Sequence, residues 1–210
     1  MTSPFAGKRL RFTPLALTTV LLSAGLLSMS VTGTLSGFAA SITNSVNSAS
    51  TGSLTMQETG PSAAVCNSTD NGSVATNSAT CSTINKFGGL TSMVPGQSAQ
   101  TTVVIKNTGT VRANTFTLTP GTSCTQSGSV SGSASDLCAK MNLTITQNGS
   151  SLFSGTLATF AANPATAITL TPLAASASST FVFTVTLDSS AGTSYQGLTA
   201  SMPMTWTFTS

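Results

Sequence analysis

The chain has 210 residues, a formal net charge of +3 and no histidine, and charged residues make up only 5% of it. Three of the seven basic residues, Lys8, Arg9 and Arg11, fall in the first eleven positions; beyond position 40, Lys86, Lys106, Arg112 and Lys140 balance Glu58, Asp70, Asp136 and Asp188. Nucleic-acid binding needs a clustered basic footprint, and acid–base or metal chemistry draws on histidine and grouped carboxylates; both are excluded, and a non-catalytic protein without a cofactor is expected.

The N-terminus reads as a secretory leader. Lys8, Arg9 and Arg11 form a positive head, and an apolar stretch rich in Leu and Val follows from Pro14 to Leu35. Small residues close it at Ser36-Gly37-Phe38-Ala39-Ala40, the pattern of a signal peptide. Cleavage after Ala39 places small residues at the last leader position and at Gly37, two before it. Residues 1–39 are thus expected as a signal-peptide helix cut between Ala39 and Ala40, leaving 40–210 as one exported domain. A retained anchor is the competing reading, since about 20 apolar residues span a bilayer, but Ser28, Ser30, Thr32 and Thr34 interrupt the stretch. Residues 206–210 add no hydrophobic tail, so the membrane is expected to be met only during export.

Period-two alternation dominates the rest, the mark of half-buried strands. Leu54 and Met56 share a face, and the turn Val94-Pro95-Gly96-Gln97 precedes a strand at 99–107 on which Val103 and Ile105 share a face. Asn107-Thr108-Gly109-Thr110 reads as a short hairpin loop leading to a strand at 112–119. Met141, Leu143 and Ile145 mark a strand at 140–147, and Asn148-Gly149 is the strongest two-residue hairpin signal, leading to a strand at 150–157. Phe181, Phe183, Val185 and Leu187 alternate with Val182, Thr184, Thr186 and Asp188, and the turn Asp188-Ser189-Ser190 suits a carboxylate bonding its local backbone. Met202, Met204, Trp206 and Phe208 form the last apolar face, which makes Trp206 a core residue; Pro203, lacking an N–H, marks an edge or a bulge there. Thr and Ser account for 73 residues, so hydroxyls replace charge on the polar faces. Seven to nine strands with such turns predict an all-β, jelly-roll-like antiparallel β-sandwich.

Cys66, Cys81, Cys124 and Cys138 are spaced too widely for zinc or redox pairs. An even count in an exported chain favours two disulfides, with three connectivities open. Pairing of sequence neighbours is the expectation, because each pair brackets its own Ser/Gly/Asn-rich loop, at 59–82 and 122–137. No site for nucleophilic or two-carboxylate catalysis emerges without histidine and with carboxylates scattered. Tyr195, in the polar stretch Thr193-Ser194-Tyr195-Gln196-Gly197, is the one candidate for an exposed aromatic contact.

Three stretches carry a resemblance: the leader end Thr32-Gly33-Thr34-Leu35-Ser36-Gly37-Phe38-Ala39 followed by Thr51-Gly52-Ser53-Leu54; then Val94-Pro95-Gly96-Gln97-Ser98; then Val103-Val104-Ile105-Lys106-Asn107-Thr108-Gly109-Thr110. Over residues 30–119 the chain resembles the TasA/camelysin family of exported proteins, whose leaders are cut by a SipW-type signal peptidase. The resemblance implies a jelly-roll sandwich in extracellular fibres or biofilm matrix, polymerised when the N-terminal strand of one subunit completes the sheet of the next. Carried to this chain, the donor segment is 40–47, with Ala40, Ile42 and Val46 on one face and Asn44 interrupting it. The metalloprotease activity described for some members does not transfer, because no His-Glu-x-x-His helix exists here. The leading expectation is an extracellular, self-associating structural protein of a bacterial surface or matrix, its partners being further copies of itself and the signal peptidase. The alternative is a monomeric module that binds cell-wall polymers or glycans through loops 59–82 or 122–137 with Tyr195.

Overall fold

The computed structural model describes residues 41–70, 72–128, 132–161 and 166–210. The leader, the cleavage positions Ala39 and Ala40, and with them the first donor residue, lie outside the described residues. Residues Ser50–Ser210 form one compact unit. Residues 41–49 belong to a separate unit; they are exposed and carry no regular secondary structure.

Among the described residues eleven strands run in the order β1 (Met56–Thr59), β2 (Val65–Asn67), β3 (Ser98–Asn107), β4 (Thr115–Pro120), β5 (Thr125–Ser127), β6 (Met141–Gln147), β7 (Ser150–Thr156), β8 (Ile168–Thr169), β9 (Ser178–Leu187), β10 (Thr199–Ser201) and β11 (Met204–Thr209). Two single-turn helices among the described residues interrupt them, α1 (Leu137–Lys140) and α2 (Leu157–Ala161). All pairings are antiparallel, in a six-stranded sheet ordered β2-β1-β3-β9-β6-β7, a three-stranded sheet β11-β4-β8 and a small pair β10-β5. The all-β, sandwich-like architecture expected from the alternation is present.

The two main sheets face each other across an aromatic core. On the large sheet, Val103 pairs with Phe181, Ile145 with Phe183 and Leu143 with Val185, and all six side chains are fully buried. The small sheet contributes Phe116 and Leu118, also fully buried, and Trp206 and Phe208 beside them. Phe116 meets Phe181 edge-on across the gap, ring centroids 5.8 Å apart. Burial of each such side chain contributes about 1.5–3 kcal/mol, and the edge-on ring geometry adds to it. Thr, Ser and Gln fill the opposite positions: on β4 and β11 the outward residues are Thr115, Thr117, Thr119, Thr205, Thr207 and Thr209.

Asn148-Gly149 makes the expected hairpin between β6 and β7. Both residues have positive φ, 49° and 86°, the signature of a type I′ turn, and the Asn148 side chain accepts from Thr180 N at 3.0 Å. Two local expectations need correction. Residues 107–110 are not a hairpin loop: β3 pairs with β1 and β9, whereas β4 lies in the other sheet. The chain crosses between sheets there, with fully buried Asn107 as the corner post. Its amide donates to the Val111 and Leu173 carbonyls, at 2.9 and 3.2 Å, and its side-chain oxygen accepts from Gly109 N at 3.0 Å. Second, 202–208 is not one strand. Ladder pairing with β5 ends at Ser201, and pairing with β4 starts at Met204, because Pro203 has no N–H for either ladder.

The two Ser/Gly/Asn-rich loops are tied down as the neighbour pairing anticipates, by Cys66–Cys81 and Cys124–Cys138. Gln126 adds a second tether to the latter loop, donating to Ala134 O at 2.6 Å and accepting from Leu137 N at 2.7 Å. Two disulfides suit an oxidising compartment such as the extracellular space. Among the described residues no helix is long and apolar enough to cross a membrane.

Candidate functional site: a cleft beside an open sheet edge

Among the described residues the small sheet ends at β11, which pairs with β4 and has no strand along its other backbone edge. A cleft of about 750 Å³ runs along that edge. All residues from Met202 to Phe208 line it, those facing outward as well as those facing inward, so the slot touches the backbone edge of the strand and not just one face. Its opposite wall is built from β1, β2 and residues 77–87. Cys66–Cys81 fastens this wall covalently, and Asn77 adds a hydrogen bond to Leu54 O at 2.6 Å.

Half of the residues that line it are polar, Thr55, Asn67, Ser68, Asn85, Thr205 and Thr207 among them; the buried polar groups are held in contacts within the fold, with one exception. Glu58 occupies an inward position of β1, opposite Ile105 of β3, and is only 6% exposed. Its carboxylate lies 2.6 Å from Lys86 Nζ, in an approach outside hydrogen-bonding angles, so charge holds the contact. Removal of one partner would leave the other charge buried alone, which is far more costly than the pair is stabilising. Lys86 Nζ also sits 5.9 Å from the centre of the Trp206 ring, within cation–π range. Trp206 packs against Phe181 at 4.7 Å and Phe183 at 6.2 Å, as its phase with Met204 and Phe208 predicts. The exception is the Trp206 indole N–H, which is buried and has no hydrogen-bond partner among the described residues. The cleft therefore joins the mutually neutralising Glu58–Lys86 pair, hydroxyl and amide side chains, and the edge of β11.

The remaining sequence candidates lie elsewhere. Ile42 and Val46, the described members of the expected donor face, are 98% and 83% exposed. Tyr195 is not a free aromatic contact: its hydroxyl donates to Asp136 Oδ1 at 2.7 Å, and its ring packs on the cluster of Leu137, Leu187 and Ala191. Asp188 bonds its own turn, accepting from the Ser190 hydroxyl at 2.5 Å and from Ser190 N at 2.8 Å, and Asp70 accepts from Asn67 N at 2.6 Å. Those bonds hold both carboxyls below their ordinary value. Among the described residues no three His, Cys, Asp or Glu side chains come together to hold a metal.

Glu58 and Lys86 were not legible as a pair. A carboxylate on the face of Leu54 and Met56 was a signal of something buried, but its partner sits 28 positions on, in a loop without periodicity. No family model matches the sequence, and no curated protein matches it either.

Proposed function

We propose that the protein is an exported structural subunit of a bacterial cell surface or extracellular matrix that polymerises by strand addition. Residues 40–47 of one copy lie along the open edge of β11 in the next and complete a jelly-roll sandwich. The observation that carries this reading is the cleft itself, which lies beside an edge unpaired among the described residues in a chain with almost no charge to blunt it. The resemblance to the TasA/camelysin family and the disulfides, which suit export, support it. Main-chain hydrogen bonds would supply the affinity, and alternate side chains entering the cleft the specificity. The wall-polymer alternative is not favoured, because its best residue, Tyr195, is engaged within the fold.

The test is a chain lacking residues 40–47, exported and compared with the full-length protein by size distribution and electron microscopy. The shortened protein is expected to stay folded and monomeric while the full-length protein forms polymers. Fibres of normal yield from the shortened chain would overturn strand addition.

A further inference from the structure

We infer that Asn44 sets the register of assembly, its side-chain carbonyl accepting a hydrogen bond from the Trp206 indole N–H of the neighbouring copy; this rests on the strand-addition reading above. Two observations lead there independently. Trp206 lines the cleft, and its indole N–H is buried without a partner among the described residues; leaving a buried donor unmade is expensive, so a bound group that satisfies it is selected. In the donor segment, the apolar face reads Ile42, Asn44, Val46, with an amide where a hydrophobe belongs.

The two patterns match when laid side by side. The inward face of β11 reads Met204, Trp206, Phe208. With Asn44 opposite Trp206, Ile42 and Val46 fall opposite Met204 and Phe208, whichever way the added strand runs. Directly opposed side chains in neighbouring strands are close enough for that contact. A slip of two residues would bury the amide against Met204 or Phe208 and place a hydrophobe against the indole N–H. A slip of one would turn Ile42 and Val46 to solvent. A single buried Asn specifies register in coiled coils by the same logic. Asn fits better than a carboxylate, because Lys86 is already committed to Glu58. Asn44 is also available: among the described residues its side-chain oxygen meets the Val46 N–H alone, at a long 3.4 Å.

Trp206 is the only tryptophan, so its indole gives a single ¹⁵N–¹H resonance. A synthetic peptide of residues 41–53 is added in excess to the labelled full-length protein, so that peptide and not another chain fills the cleft. The wild-type peptide is expected to shift the β11 amides and move the indole resonance downfield. The Asn44→Leu peptide is expected to bind about tenfold more weakly and to leave the indole resonance in place. If both peptides bind equally and shift the indole alike, the register inference is overturned while strand addition stands. If the wild-type peptide leaves the β11 amides unmoved, strand addition itself fails, and the register with it.

Discussion

Tyr195 and Asp136 lie 59 positions apart and meet at 2.7 Å, a contact no spacing rule would find. The hydrogen bond to Asp136, followed by burial and the negative charges of Asp136 and Asp188, holds the tyrosine hydroxyl above its ordinary value of 10.0. A group whose folded pKa is raised stabilises fully below its unfolded pKa, and that contribution is lost as pH rises through the folded value. Absorbance titration of this sole tyrosine is therefore expected to show a midpoint above 10, and stability is expected to fall as pH rises from about 10 through that midpoint. Tyr195→Phe should remove the alkaline loss that the tyrosine contributes; identical pH profiles for the two proteins would contradict the assignment. Trp206 is the opposite case. Its burial was legible from its phase with Met204 and Phe208, because inward and outward positions alternate along any strand whatever its neighbours.

Among the elements, the β6–β7 hairpin was the most legible and the 107–110 turn the least. Asn148-Gly149 declares itself because a type I′ turn needs positive φ at both positions, a demand met locally. Nothing lies within 4 Å of a side chain placed at Gly149, so substitution there tests backbone conformation alone. Gly149→Ala is expected to cost about 1–2 kcal/mol in chemical denaturation. Gly192→Ala is the control: it is equally open, but its φ is −83° and it should cost much less. Equal effects at the two positions would refute the strain argument. The Asn107 corner uses similar turn residues yet crosses between sheets. What settles that crossing is the Leu173 carbonyl, 66 positions away, which receives the Asn107 amide.

For the whole molecule, the two disulfides replace what charge and helix cannot supply. Each closes a loop whose cysteines are 14 or 15 positions apart, and in the chain-entropy account each stabilises by about 3 kcal/mol. Replacing Cys66 and Cys81 together with Ser is expected to lower the unfolding free energy by that amount, read from the urea midpoint. The same change at Cys124 and Cys138 should have a similar effect. A midpoint unmoved by either would mean that the loops are held without their covalent ties.

The sequence by itself determined the all-β class, the inward face of each long strand, the β6–β7 turn and the loops that the cysteines bracket. These follow from nearest-neighbour alternation, from dihedral demands within a few residues and from short loop closures. Tertiary structure alone decided which strands share a sheet, where Pro203 divides the final segment, the burial of Glu58 with Lys86, and the open slot beside β11. Sheet partnership depends on how distant strands close over a common core, and a strand's own pattern is the same at an edge as at the centre. An unfilled edge is therefore a property of the assembled sheet and is written in no single segment.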